Sequence, residues 1–335
     1  MKVACMILHR RVVQHITFAL TPTFNFTRVF PGKATFYNFI SRTIMKEKIM
    51  MKGKLAIILL IVLFASPLAA KELTGTLRQI KDTGQIRIGF RTSEPPMSFL
   101  DKNGKPNGYS IELGRSVVKE VEKKIGAKVK VQYVPITAEN RFKALVSNKI
   151  DILCGATTKT LSRSELVDFT QLTFVTGASL MTLQNNKNPD SSGFNGKKIG
   201  VVKGTTTAIF LKNLLQETST KAKIVLFNSA KQGVNALRKK KIDAYAADQI
   251  VLIGIASKAQ NRMNFVIDPN VFSFEPFAFA VRRNDADFRL VADRAISDLC
   301  RSKKIFEIYD KWVGEFTGQR LPIFDAMVQL NATPK

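Results

Sequence analysis

Histidine is nearly missing from this chain of 335 residues: it has two, His9 and His15, and none follows. The remaining sequence therefore holds no Ser-His-Asp triad, no Cys-His dyad and no His-ligated metal. Nor does it carry a side chain whose unperturbed pKa lies between about 5 and 8. Cysteine is also scarce. Beyond residue 70 only Cys154 and Cys300 occur, too few for a zinc site or a disulfide scaffold. They are expected either as two buried thiols or as a single disulfide in an oxidising compartment. The apolar run LAIILLIVLFA at 55–65 is eleven residues long, short of the roughly 20 that span a bilayer.

Acidic residues are in short supply: 26 Asp and Glu face 52 Lys and Arg, a net charge of +26. Such a balance suggests nucleic acid or a membrane surface. Residues 1–70, however, hold ten of the basic residues and one acid, Glu47, which leaves 42 against 25, or +17. The remainder shows no RNA-binding aromatic motif and no zinc-finger spacing. Lys-rich runs such as Arg238–Lys241 fall where a helix should end, and cations there complement the helix dipole. Nucleic acid is not an expected partner.

Around the apolar run, Lys52 and Lys54 precede and Ser66-Pro67-Leu68-Ala69-Ala70 follows. A basic start, a short apolar stretch and a small-residue exit describe a secretory signal peptide at 51–70, with the mature protein beginning near Lys71. Signal peptides begin at the N-terminus, so 1–44 reads as an over-extended gene start, with translation beginning at Met45, Met50 or Met51.

From Ile86 onward strands and helices alternate. IRIGF (86–90), VKVQYVP (129–135), IDIL (150–153), KIGVV (198–202), KIVLF (223–227) and a segment near 244–247 read as strands. Between them lie helical periodicities, the first of which should start near Ser110, a good N-cap. This alternation predicts parallel sheets flanked by helices. Ala144-Leu145-x-x-x-Lys149-Ile150-Asp151 recurs 92 residues later as Ala236-Leu237-x-x-x-Lys241-Ile242-Asp243. Both copies fall at the same point of a helix–strand cycle, which predicts two lobes of similar architecture.

In open α/β sheets, ligands bind beyond the carboxyl ends of the strands. Those positions are Arg91-Thr92, Gly155-Ala156-Thr157-Thr158, Gly204-Thr205-Thr206 and Asp248. They offer hydrogen-bonding and ion-pairing groups and no nucleophile–base pair.

Over most of the mature chain, about 77–313, the sequence resembles the extracellular amino-acid-binding proteins of bacterial ABC importers, solute-binding family 3. The landmarks are Pro95-Pro96-x-x-Phe99, Asn107-Gly108-Tyr109-Ser110, Lys149-Ile150-Asp151, Cys154-Gly155-x-Thr157-Thr158 with Arg163 beyond it, and Val167-Asp168-Phe169-Thr170. Gly196-Lys197-Lys198-Ile199-Gly200-Val201, Gly204-Thr205-Thr206 and Ile308-Tyr309-x-Lys311-Trp312 complete the series. Gly89-x-Arg91 and Pro135-Ile136-Thr137-x-x-Asn140-Arg141 resemble the glutamate/aspartate branch.

The resemblance implies a two-lobed, type II periplasmic-binding fold, each lobe a mostly parallel sheet flanked by helices, with two strands crossing near Phe174–Gly177 and Glu275–Phe277. Lobe 1 would comprise 71–176 and 277–335, and lobe 2 would comprise 177–276. It also implies roles for individual residues. A lone Arg or Asp in a sequence is ordinarily a surface ion pair, but at the family positions Arg163 would take the ligand α-carboxylate and Asp248 its ammonium. Arg91 and Arg141 would read the ligand side chain. Thr157, Thr158, Thr205 and Thr206 would supply hydroxyls and backbone donors. Ala138 and Ala156 stand where the glutamate/aspartate branch has Ser, which removes two side-chain hydroxyls from the contact set that the resemblance implies. Three arginines and one aspartate sum to +2 against −1 for glutamate, so some arginine would be solvated or paired elsewhere.

The expected function is a periplasmic receptor for a free amino acid, glutamate or aspartate, that closes about its hinge and hands the ligand to an inner-membrane ABC permease. A monomer without cofactor or metal is expected. The alternatives are another polar amino acid, or a dehydratase-like enzyme on the same fold, for which the cleft loops offer only Asp248 and Glu94 as acids.

Overall fold

The computed structural model describes residues 72–184, 191–258, 265–318 and 320–335, with isolated positions at 42, 45, 46 and 50. The chain divides into units at 1–72 and 73–335. The leader reading for 51–70 and the gene-start reading for 1–44 lie outside the described residues, the isolated positions apart. All that follows concerns the second unit.

It opens with α1 (Gly75–Thr83), β1 (Gln85–Phe90), β2 (Ser93–Glu94), β3 (Ser98–Leu100), β4 (Pro106–Asn107) and α2 (Tyr109–Ile125). Next come β5 (Lys130–Pro135), α3 (Arg141–Val146), β6 (Ile152–Leu153), α4 (Leu161–Ser164), β7 (Val167–Thr176) and β8 (Ala178–Leu183). A 3-10 turn (Ser191–Phe194) leads to β9 (Lys198–Val202), α5 (Thr206–Glu217), β10 (Lys223–Phe227), α6 (Ala230–Arg238), β11 (Ala244–Asp248) and α7 (Gln249–Lys258). The chain continues with β12 (Phe265–Ile267), β13 (Glu275–Arg282), α8 (Ala286–Arg301), α9 (Lys304–Tyr309), a π-turn (Asp310–Gly314), α10 (Glu315–Thr317) and α11 (Pro322–Asn331).

Two five-stranded sheets result, ordered β5-β1-β6-β13-β7 and β10-β9-β11-β8-β12. In each, the expected parallel trio is present, with the first strand central: β1 between β5 and β6, and β9 between β10 and β11. Of the other two strands in each sheet, β13 and β8 run against the trio, and the edge strands β7 and β12 pair antiparallel with them. They join one sheet to the other, so no helical crossover forces them parallel. β7 passes into β8 through Gly177 alone, and β13 re-enters the first sheet with Glu275 opposite Thr176 and Phe277 opposite Phe174.

Helix α2 turns Val117, Val121 and Ile125 to the core, as its periodicity requires. It starts earlier than expected from Ser110. Gly108, at φ 124°, caps it, and the N–H groups of Tyr109 and Ser110 donate to the carbonyls of Pro96 and Met97 at 2.8 and 2.9 Å. A Cβ on Gly108 would stand 2.6 Å from Met97 O, so the backbone approach leaves no room for a serine cap. Around the crossing strands, Phe174 stacks on Tyr309 and packs against Phe277 and Phe324. Cys154 and Cys300 are both free and buried in this core. Burial pushes the Cys154 thiol far up and that of Cys300 up to about 12, so neither is a thiolate at neutral pH.

The sequence repeat is one device used twice. Asp151 Oδ2 accepts the N–H of Arg87 in β1 at 2.8 Å, and Asp243 Oδ2 accepts that of Lys198 in β9 at 2.8 Å. Asn148 and Lys240 end the preceding helices at φ 58° and 54°. Ile150 and Ile242 each press on a glycine of the neighbouring strand: a Cβ on Gly89 or Gly200 would lie 2.4 or 2.5 Å from the isoleucine Cδ1.

Candidate functional site

The carboxyl ends of the parallel strands face one another. β1 ends before Arg91, β6 before Thr157 and Thr158, β9 before Thr205 and Thr206, and β11 on Asp248. The loop after β5 supplies Ala138 and leads into α3 at Arg141. Arg163 lies in α4, whose N-cap Thr160 accepts the Arg163 N–H. Thr205 caps α5, accepting from Ala208 N at 3.2 Å, while its own hydroxyl donates to Val202 O at 2.7 Å. The eight expected residues thus lie at or after these strand ends and in α3 and α4, and Thr205 spends its hydroxyl on its own turn.

The two sides are in contact. Thr158 Oγ1 and Thr206 Oγ1 lie 3.1 Å apart. Both donate to Oε2 of Glu275, Thr206 at 2.7 Å. Ser273 donates to Oε1 at 2.9 Å. Arg141 Nη2 donates to Gly204 O at 3.2 Å, and Lys203 pairs with Glu139 at 2.7 Å. Gly204 has φ +76°, and a Cβ there would meet the Glu139 backbone at 3.1 Å. Only glycine tolerates both the conformation and the approach. Ala138 is buried against the second sheet's apolar cluster with Val202, Leu237 and Tyr245, so the methyl group in place of a hydroxyl fills an apolar contact.

The charged groups divide by whether they have partners. Arg91 is 4% exposed and its Nη2 lies 2.8 Å from Glu94 Oε1. The expected charge surplus is thus reduced by a neighbouring acid at i+3. Arg141 is 2% exposed, and among the described residues no carboxylate lies within ion-pair distance of it or of Arg163. Arg141 Nη1 donates to Ala138 O at 2.7 Å, and Arg163 Nη1 to Thr158 O at 2.7 Å. Both guanidinium groups lie against the Phe142 ring, at 4.8 and 5.4 Å from its centre. Burial, then the charges of Arg163 and Arg91, push the Arg141 pKa well down against the pull of Glu94 and Asp248. Burial lowers that of Arg163, opposed by Glu275 and Asp248. Two cations are therefore held where they call for an anion.

Asp248 is the counterpart. Burial first, then the charges of Glu275 and Glu94, push its carboxyl well above the usual range, against Arg163 and Arg141. Folding thus shifts a carboxyl upward in a segment, beyond residue 70, where no side chain has an unperturbed pKa between about 5 and 8. Four buried side-chain atoms at this cleft lack any partner: Glu94 Oε2, Asp248 Oδ1, Arg141 Nε and Thr157 Oγ1. Two are carboxyl oxygens, one is a guanidinium nitrogen and one a hydroxyl, a set complementary to a zwitterion. Among the described residues no group of three or more His, Cys, Asp or Glu could hold a metal ion, and no helix is long and apolar enough to cross a membrane.

Sequence reasoning placed Glu275 only as the start of a crossing strand, with no role at the site, and counted Glu94 only as an acid. The signal for Glu94 was its i+3 spacing from Arg91. Glu275, at the head of a crossing strand, carries no local signal.

A model of the bacterial extracellular solute-binding proteins, family 3, matches residues 86–315. The chain is 33% identical over 252 residues to the L-glutamate/L-aspartate-binding protein of Pseudomonas aeruginosa, covering 75% of this chain and 83% of that one. Among solved structures, an ancestral arginine-binding protein bound to arginine shares 28% identity at a TM-score of 0.62, over 69% of this chain and 99% of the other. The L-cysteine receptor of Neisseria gonorrhoeae shares 25% at a TM-score of 0.65, over 74% and 98%. These neighbours have type II periplasmic-binding folds, the architecture of the two sheets here. By sequence and by fold, the chain belongs to the bacterial extracellular solute-binding proteins of family 3.

Proposed function

We propose that the protein is the periplasmic receptor of an amino-acid ABC importer and takes glutamate or aspartate. Lobe 1 (71–176 and 277–335) and lobe 2 (177–276) close on the ligand about the crossing strands, and the closed monomer delivers it to an inner-membrane permease. Export would follow cleavage of a signal peptide at 51–70. No cofactor and no nucleic acid takes part.

The observation that carries this reading is the unpartnered set. Arg91 is paired with Glu94, and the oxygens of Glu275 are occupied by three hydroxyls although its charge remains, which leaves Arg141, Arg163 and Asp248 without an ion-pair partner among the described residues: two guanidinium groups and one carboxyl. An acidic amino acid presents the inverse, two carboxylates and one ammonium. Arg163 takes the α-carboxylate beside Thr157 and the N-terminus of α5, Asp248 takes the ammonium, and Arg141 takes the side-chain carboxylate. The name of the Pseudomonas aeruginosa relative points the same way. Calorimetry with glutamate, aspartate, glutamine, asparagine and arginine tests it, alongside Arg141→Ala. One or two charge-assisted bonds, each about 1.5–3 kcal/mol, imply a preference for glutamate over glutamine of about tenfold to a few hundredfold. If glutamine binds as tightly as glutamate, or if Arg141→Ala leaves their ratio unchanged, the acidic ligand is wrong.

A further inference from the structure

Glu94 has work left for one of its oxygens. The residue is 7% exposed. Oε1 faces Arg91 Nη2 at 2.8 Å, while Oε2 is buried and accepts nothing. If the carboxylate served only to neutralise Arg91, its second oxygen would be expected to reach solvent or a second donor, since a buried anionic oxygen without a partner is unfavourable. Asp248 Oδ1 is in the same condition.

Strand geometry turns Glu94 toward the cleft at which β11 ends on Asp248. Ser93 and Pro95, on either side of Glu94, line a groove of about 470 Å³ shared with α6 and α7. Side chains alternate across an extended strand, so Glu94 is turned to the opposite face, toward Arg91 and the cleft. β2 also contacts α6 and α7 of the second lobe. The charge of Glu94 is felt by Arg141, by Asp248 and by Tyr245 of β11. A ligand ammonium carries three donors, more than one Asp248 oxygen can use.

The geometry points to Glu94 as a second acceptor for the ligand α-ammonium: Oε2 of Glu94 from lobe 1 and Oδ1 of Asp248 from lobe 2 close on the same cation, with Arg91 holding Glu94 in place. This rests on reading the chain as an amino-acid receptor. It does not depend on which side chain is bound, because the ammonium is common to all amino acids.

The test compares L-glutamate with glutarate, its counterpart without the amino group, by calorimetry on the wild type, Glu94→Gln and Glu94→Asp, with the ligand-free thermal midpoint as folding control. Glu94→Gln keeps an oxygen for Arg91 and sets an NH₂ donor where Oε2 stood. The expected result is a ten- to hundredfold loss of glutamate affinity with glutarate unchanged or tighter, and a smaller loss in Glu94→Asp. Parallel weakening of both ligands would make Glu94 a positioning residue for Arg91 alone and overturn the proposal, as would no change in either. Should Glu94→Gln fail to fold, Glu94→Asp decides, since it keeps the charge and withdraws it by one methylene: glutamate must weaken more than glutarate. If the wild type ignores glutamate, the acidic-ligand reading fails instead. The same comparison then runs with whichever of the twenty amino acids binds and its desamino acid.

Discussion

Thr158 and Thr206 stand on opposite sides of the cleft with their hydroxyl oxygens 3.1 Å apart, and both donate to the same carboxylate oxygen of Glu275. Thr158 follows β6 of the first sheet, Thr206 opens α5 behind β9 of the second, and Glu275 heads the crossing strand β13. Glu275 is 0% exposed, so these hydroxyls replace its solvation. The arrangement joins the two sides, so in a receptor that closes about its hinge, as proposed above, Glu275 would latch the closed form.

Weakening that latch should favour opening. Glu275→Gln exchanges charge-assisted bonds for neutral ones, a loss of about 1–2 kcal/mol over two hydroxyls, or about tenfold in ligand affinity. Small-angle scattering should show the wild type contracting with saturating ligand, and the ligand-free variant more expanded than the ligand-free wild type. A wild-type radius of gyration that ignores ligand would refute hinge closure.

The repeated Ile-on-Gly contact predicts a pair of destabilisations. Gly89→Ala drives a methyl group into Ile150, and Gly200→Ala drives one into Ile242 and also the Phe227 ring at 2.7 Å. Overpacking of this kind costs about 1–3 kcal/mol. Gly200→Ala should cost more, because the Phe227 ring as well as the Ile242 terminus must move. Trimming the clashing methyl with Ile150→Val should recover part of the Gly89→Ala loss, giving a favourable coupling in a double-mutant cycle by urea denaturation. Additive effects would mean that the contact is not the cause.

Both repeat copies were legible in the sequence because the device is local: a helix end, an isoleucine and an aspartate within eight residues. The cleft loops were legible for the same reason, since a strand end marks each. The pairing of Arg91 with Glu94 was not, because a count of charges in loops does not tell which are already spent on one another. Glu275 was invisible as a functional residue because the two partners that join it to both sides of the cleft lie 69 and 117 residues away. The antiparallel crossing strands escaped the alternation rule, since that rule covers only strands joined by helices. Ser110 looked like a cap because its chemistry fits one, while the carbonyls of Pro96 and Met97 that meet the helix start come from a preceding loop.

Asp151 predicts an acid sensitivity of the fold. It is fully buried; burial would raise its pKa, but hydrogen bonds from the Arg87 side chain and backbone, the Arg87 charge and a hydrogen bond from Arg282 outweigh this and hold it below the ordinary value. A carboxyl depressed on folding contributes stability that is present above its unfolded pKa, about 3.9, and lost as pH falls through its lower folded value. Removing it strands two guanidinium groups whose side chains are 22% and 19% exposed. That partial solvation puts the cost of Asp151→Ala at about 3 kcal/mol, the low end for a broken buried pair. The penalty should be full at pH 7 and shrink below about pH 4. A penalty independent of pH would assign it to packing instead.

Asp248 predicts the opposite sign. Its carboxyl is raised in the ligand-free protein by burial and by Glu275 and Glu94. A raised carboxyl binds its proton more tightly folded than unfolded, so above its unfolded pKa the ionised form costs stability. Asp248→Asn should therefore raise the ligand-free thermal midpoint at pH 7–8, while removing the negative partner of the ligand ammonium. The loss of affinity should reach about a hundredfold, as for one lost charge-assisted contact of about 3 kcal/mol. Ligand binding favours the carboxylate and so lowers the Asp248 pKa, which couples binding to proton release. Wild-type affinity should fall as pH drops through the ligand-free pKa of Asp248, and calorimetry in buffers of different ionisation enthalpy should count protons leaving in that range. Asp248→Asn should bind weakly and release none. If the variant keeps the wild-type proton release, another group couples binding to pH. If it keeps wild-type affinity, the ammonium does not sit at Asp248.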